Sequence, residues 1–201
     1  MRAASFALGM PLSSAIDDRE PILAQALTRL HLMAGKGWGG PARALHIARI
    51  IAHKPQREGP ATLVAVISAR AVQNAGASAV TLINTVVGLV LDPHTGRPVL
   101  GNGVGGLSGR AIHPVAVRAV FDVHAAVPDL AIVGVGGVAS GWDAAELMLA
   151  GASAVQVGTA TFADPRACFK IAQELEKWAN ERKIGALADL TGRAHSGGIH
   201  P

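Results

Sequence analysis

The sequence predicts an α/β fold in which short parallel strands alternate with helices, on three observations. Two valine-rich runs each end in a glycine turn: Ala131-Ile132-Val133-Gly134-Val135-Gly136-Gly137 and Ala154-Val155-Gln156-Val157-Gly158-Thr159. A helical stretch follows each run, and strands separated by helices pair in parallel. The chain has 201 residues, half of them apolar, with 24 glycines, which suits one compact α/β domain. The glycine turns also bear on function. In a parallel barrel, the loops after the last strands commonly hold a phosphate. Glycine lets backbone N–H groups approach an anion closely, and a following helix N-terminus adds partial positive charge. A phosphorylated ligand or cofactor is the expectation.

The elements follow in order. Residues 1–62 contain no valine, whereas residues 63–201 contain nineteen. Valine is stiff at χ1 and favoured in buried parallel strands, so 1–62 is expected to carry no strand. It reads as an atypical, mostly helical segment of uncertain fold, with helices around 20–34 and 42–53 split by Gly35-Lys36-Gly37-Trp38-Gly39-Gly40-Pro41, and a polar stretch over 54–60. From 63 onward the pattern is regular. A helix over 64–74 closes at Gly76, and a buried strand spans 79–84. Apolar residues 88–91 and 98–100 flank Asp92-Pro93-His94-Thr95-Gly96, which predicts an inserted hairpin. A helix over 113–127 places Val117, Val120, Phe121 and His124 on its apolar side. The first glycine-turn strand comes next, then a helix over 141–150 with Ser140 and Asp143 as a capping pair and Gly151 at its stop. After the second glycine-turn strand, Asp164-Pro165 is expected to cap and start a last helix running to about Arg182. The end of the chain from Thr191 is expected to be disordered, with 193–201 assigned as a flexible tail.

Composition excludes several classes. The single cysteine, Cys168, permits no intramolecular disulfide and no Cys-x-x-Cys metal site, so a reducing compartment is the default. No apolar run reaches the roughly 18 residues of a membrane span. Met1 to Pro11 has too weak an apolar run for a signal peptide. The expectation is a cytoplasmic protein with no membrane partner. The net charge of +4 suits an anionic cofactor; the basic residues are scattered without interleaved aromatics, which argues against nucleic acid.

Three groups of residues could carry chemistry. Gly136, Gly137, Gly158 and Thr159 form the paired turns, and two such turns in successive strand–helix units point to phosphate more strongly than one. Asn84 ends the apolar strand Leu82-Ile83-Asn84 and should project at the C-terminal mouth of the sheet, where its amide offers two donors and an acceptor; a plain turn asparagine is the competing reading. Gly101-Asn102-Gly103-Val104-Gly105-Gly106-Leu107-Ser108-Gly109 taken alone is a flexible glycine loop, and it does not fit the dinucleotide fingerprint.

Leu82-Ile83-Asn84-Thr85, then Asn102 through Gly109 with Ile112 and Pro114, then Gly134-Val135-Gly136-Gly137, then Ala150-Gly151-Ala152-Ser153-Ala154-Val155-Gln156-Val157-Gly158-Thr159 together resemble the dihydroorotate dehydrogenases. The Gly105-Gly106-Leu107-Ser108-Gly109 loop is most similar to the NAD-linked two-subunit class, and dihydropyrimidine dehydrogenase has a related domain. The resemblance covers roughly residues 67–192. It implies a (β/α)₈ TIM barrel holding FMN, which oxidises dihydroorotate to orotate in pyrimidine biosynthesis. By the same resemblance, Gly136, Gly137, Gly158 and Thr159 would hold the FMN phosphate, Ile83 and Gly109 would lie against the flavin, and Asn84 and Thr85 would contact the pyrimidine. Electrons would pass to an FAD and iron–sulfur partner subunit.

The resemblance also implies parts that find no counterpart here. The family's base is a cysteine in the first half of the barrel, and its flavin-contacting lysine lies there too. Cys168 falls on the last helix and is expected to pack; Lys36 and Lys54 lie in the valine-free segment. No catalytic residue is therefore assigned. A full barrel needs roughly 250 residues, and the matching stretch over 63–192 supplies three main strands. The expected architecture is the C-terminal part of a TIM barrel, incomplete, behind a helical N-terminal segment, with little activity alone. A homo-oligomer or heteromer is expected. The alternative is a non-catalytic half-barrel that binds a phosphate ligand or a complementary barrel half, or a dihydropyrimidine dehydrogenase-like domain.

Overall fold

The computed structural model describes residues 47–49 and 61–199. Along the chain run β1 (Ile47–Arg49), α1 (Ala61–Asn74), β2 (Ala79–Leu82), β3 (Val86–Gly88), β4 (Gly105–Leu107), α2 (His113–Ala126) and β5 (Ala131–Val135). They are followed by α3 (Gly141–Ala150), β6 (Ala154–Gln156), α4 (Ala160–Ala163) and α5 (Ala167–Glu181). Strands β1, β2, β5 and β6 form one sheet in that order, every pair parallel. Val80 stands opposite Ile132, and Gly134 opposite Val155. The helices follow the same succession, α1 against α2, α2 against α3, and α3 against α5.

The core lies between sheet and helices. Val80, Leu82, Ile132, Val120, Val123 and Leu147 are fully buried there. Along β5, Ile132 and Gly134 are buried while Val133 and Val135 are half-buried, the alternation of a strand with one face under helices. Gly134 lets α3 come close: a Cβ there would stand 3.1 Å from Ala152 Cβ and 3.3 Å from Leu147 Cβ. Helix α3 begins as the sequence predicts. Ser140 Oγ accepts from the Asp143 amide at 3.2 Å, and Asp143 Oδ2 accepts from the Ala139 amide at 2.9 Å. Glu174 on α5 adds a third cap, accepting from the Gly141 amide at 2.7 Å, where a carboxylate also complements the helix dipole. Gly151 closes the helix at φ 128°.

The predicted hairpin forms. Asp92 Oδ1 accepts from the amides of His94 and Thr95 at 2.9 and 2.8 Å, which with the Thr95 hydroxyl holds its carboxyl below the ordinary carboxylate range. Its stem pairs Val99 with Val90 and continues into the antiparallel ribbon of β3 and β4. The glycine loop over 101–109 is thus partly a paired strand, not a free loop.

Four other expectations are corrected. The helix expected over 42–53 is a strand where it is described: Ile47–Arg49 pairs with Ala79–Thr81. An isoleucine serves a strand edge as well as valine does, so the absence of valine concealed it. The expected helices and loops elsewhere in 1–60 lie outside the described residues. The last helix starts at Ala167, after the separate turn of α4, with Asp164 Oδ1 holding the Arg166 amide at 2.9 Å. Cys168, expected to pack, is exposed. The stretch expected as a flexible tail is packed through Ile199. Gly192 N–H donates to Met148 O at 3.0 Å, and His195 Nε2 donates to Ala150 O at 3.0 Å while its ring stacks on Phe121 at 3.9 Å. The partners of this segment lie on α2 and at the end of α3, far back in the sequence, where local composition does not reveal them.

Candidate functional site

The C-terminal ends of β2, β5 and β6 open on one side of the sheet, as adjacent parallel strands must. Against them lies a cavity of about 380 Å³. Its walls bring together Ile83, Asn84 and Thr85 after β2, Gly109 after β4, Gly136 and Gly137 after β5, and Gly158 and Thr159 after β6. Every site residue expected from the sequence thus lines this one cavity, although 76 positions separate the first from the last.

The glycines are there for different reasons. Gly136 has φ 145° and Gly137 φ 68°, and L side chains are strained at both. A Cβ on Gly137 would also stand 2.7 Å from Gly109 O and 2.8 Å from His113 Cβ. Gly109, at φ 87°, bridges the two turns: its own Cβ position is 3.7 Å from Thr159 Cγ2. Gly158 is unlike these. A Cβ there would meet nothing within 4 Å, and its φ is ordinary, so no described protein atom requires glycine. The amides of Gly137, Gly158 and Thr159 donate to no backbone or side-chain acceptor among the described residues. Unpaired donors on a cavity wall are a cradle for an anion. The helix after Gly158-Thr159 is α4, only four residues long. The helix-end contribution expected there is therefore not available, and the backbone amides carry the site.

The β5 turn is held from behind by His113, which is 6% exposed. Its Nδ1 donates to Gly136 O at 2.8 Å, and its Nε2 lies 3.1 Å from Glu146 Oε2 and 3.9 Å from Asp143 Oδ1. The imidazole therefore stands between the glycine turn and α3, within hydrogen-bonding distance of Gly136 O and Glu146. Sequence reasoning placed His113 only as the start of a helix.

On the β2 side, Asn84 Oδ1 accepts from the Thr85 amide at 2.9 Å. Asn84 thus shapes its own turn and also lines the cavity. The Thr85 side chain lies directly over Gly106, where a Cβ would collide with its hydroxyl. That close approach explains one glycine of the β4 motif. The wall also holds Arg110, Ser108 and Ile112; the sequence places Ser108 and Ile112 within motifs without a role of their own and passes over Arg110, whose signal is a lone charge directly after a glycine loop.

The dihydroorotate dehydrogenase family model matches residues 60–178, more than half of the chain. The chain belongs to the dihydroorotate dehydrogenase family. It is 50% identical over 129 residues to the dihydroorotate dehydrogenase B (NAD(+)) catalytic subunit of Fusobacterium nucleatum, covering 64% of this chain and 42% of that one. It is 45% identical over 157 residues to the protein of the same name from Citrifermentans bemidjiense, covering 76% and 51%. A putative dihydroorotate dehydrogenase A (fumarate) of Solibacter usitatus is 51% identical over 124 residues, covering 62% and 40%. Dihydroorotate dehydrogenase relatives of both types therefore match at a similar level. The crystal structure of DHODH in complex with ferulenol from Eimeria tenella superposes with a TM-score of 0.59 at 25% identity, over 74% of this chain and 38% of that one. The chain spans from two-fifths to about half the length of the curated dihydroorotate dehydrogenases it matches.

Proposed function

We propose that this chain is the C-terminal part of a dihydroorotate dehydrogenase catalytic subunit, built on half of a (β/α)₈ barrel, whose cavity holds FMN. The carrying observation is the convergence of all eight expected residues on one cavity at the strand ends. The family is flavin-dependent, and the residues present suit a flavin mononucleotide. Amides at Gly137, Gly158 and Thr159 without acceptors among the described residues suit its phosphate, and the open space beside Gly158 among the described residues leaves room for it. The cavity volume lies within the range usual for small-molecule sites. Gly136 and Gly137 with Gly158 and Thr159 hold the phosphate, Ile83 and Gly109 lie against the ring system, and Asn84 and Thr85 orient the pyrimidine of dihydroorotate or orotate.

Bound FMN would supply the two-electron acceptor for the oxidation. The chain's own residues supply binding and orientation. Oxidation of dihydroorotate also needs a positioned proton acceptor. Among the described residues lining the cavity there is no His, Cys, Asp, Glu or Lys, and Cys168 lies on α5 away from that lining. The reading therefore predicts flavin binding with little turnover by this chain alone. An electron-transfer subunit carrying FAD and an iron–sulfur centre is the proposed partner, in a cytoplasmic heteromer, on the strength of the B-type relatives; among the described residues no helix is long and apolar enough to cross a membrane.

The test is dihydroorotate oxidation by the purified chain with added FMN, followed as orotate formed. Bound flavin with orotate at the protein-free rate is expected. Sustained turnover would overturn the assignment of no catalytic residue to this chain.

A further inference from the structure

Arg110 is the one charged residue among the described residues lining the cavity. Its place is set by Gly109, whose carbonyl lies against Gly137 and whose Cα side lies against Thr159. The residue that follows Gly109 therefore stands where the β5 and β6 turns meet. Arg110 is exposed and makes no ion pair or side-chain hydrogen bond among the described residues.

No described residue pairs with this charge. Arg110 heads the single turn Arg110–Ile112, which runs directly into α2, and the first turn of α2 contains no acidic residue. A cation at the N-terminal end of a helix opposes the helix dipole. Residues that break a local rule without internal compensation are expected at functional sites. An anion bound between the two turns would compensate both the guanidinium and the helix end.

We infer that Arg110 is a specificity-determining residue, which selects the phosphorylated flavin over the neutral, phosphate-free flavin by placing its guanidinium on the phosphate. A guanidinium forms charge-assisted, geometrically matched hydrogen bonds with phosphate oxygens. The backbone amides alone would supply neutral donors. This inference rests on the flavin reading and extends it from backbone to side chain.

The experiment is an equilibrium titration of the full chain with FMN and with riboflavin, by quenching of flavin fluorescence, at low and high salt. Wild type is compared with Arg110→Gln and Arg110→Lys. Arg110→Gln should weaken FMN about tenfold, as loss of a hydrogen bond to a charged group does, and leave riboflavin unchanged. Arg110→Lys should fall between, and the salt sensitivity of FMN binding should diminish in Arg110→Gln. Equal FMN affinity in wild type and Arg110→Gln would overturn the inference while leaving the flavin site standing. Equal weakening of both flavins would also overturn it, because the residue would then serve packing. A wild-type chain that binds neither flavin would overturn it together with the flavin reading.

Discussion

Gly137 and Gly158 line the same cavity, yet only the first is a glycine that the protein itself demands. At Gly137 the backbone is left-handed and a Cβ would press on Gly109 O and His113. Gly137→Ala should lower stability by about 1–3 kcal/mol, the usual cost of a strained backbone position. At Gly158 a Cβ enters open space on an ordinary backbone, and Gly158→Ala should change stability by no more than about 0.5–1 kcal/mol. Thermal melts of the two variants beside wild type check the pair. Equal destabilisation would mean that Gly158 also has a structural role. The sequence shows both residues as strand-ending glycines and cannot separate them, because backbone dihedrals and neighbours across the fold make the difference. His113 was equally hidden: its partners Gly136, Asp143 and Glu146 lie 23 to 33 positions away.

Elements with strong local signals were legible. Helix α3 was readable to the residue because Ser140, Asp143 and Gly151 mark both ends, and β5 because Ile132 and Val133 precede a glycine turn. Strand β1 and the end of the chain were not, since each is fixed by a distant partner. The final segment carries a pH dependence. Burial, and secondarily the charge on His195, pushes the His124 imidazole below its ordinary value near 6.5. A group with a lowered folded-state value binds fewer protons folded than unfolded, so its contribution is full above the unfolded value and declines as pH falls below it. His124 lies against Gly192, and its ring centroid is 5.0 Å from that of His195. Docking of residues 192–196 should therefore loosen below about pH 6.5. Amide hydrogen exchange, corrected for intrinsic rates, should show lower protection of this segment at pH 5.5 than at 7.5. Equal protection would show that the His124 imidazole does not govern its docking.

On the scale of the whole molecule, four parallel strands place the two glycine-bearing ends of β5 and β6 beside the Ile83–Thr85 end of β2. The hairpin rooted in β3 and β4 brings Gly109 and Arg110 to the same opening. The parallel order and the cavity follow from the strand–helix alternation visible in the sequence; the fourth strand does not. This opening is proposed to be a flavin phosphate site formed by the chain's own backbone. Its test is a fluorescence titration of the purified chain with FMN, with Gly158→Val, whose Cβ enters open space on an ordinary backbone, as the comparison. Saturable quenching by wild type is expected, with its loss in a Gly158→Val protein that still melts cooperatively. Absence of quenching in wild type, or undiminished quenching in Gly158→Val, would contradict it.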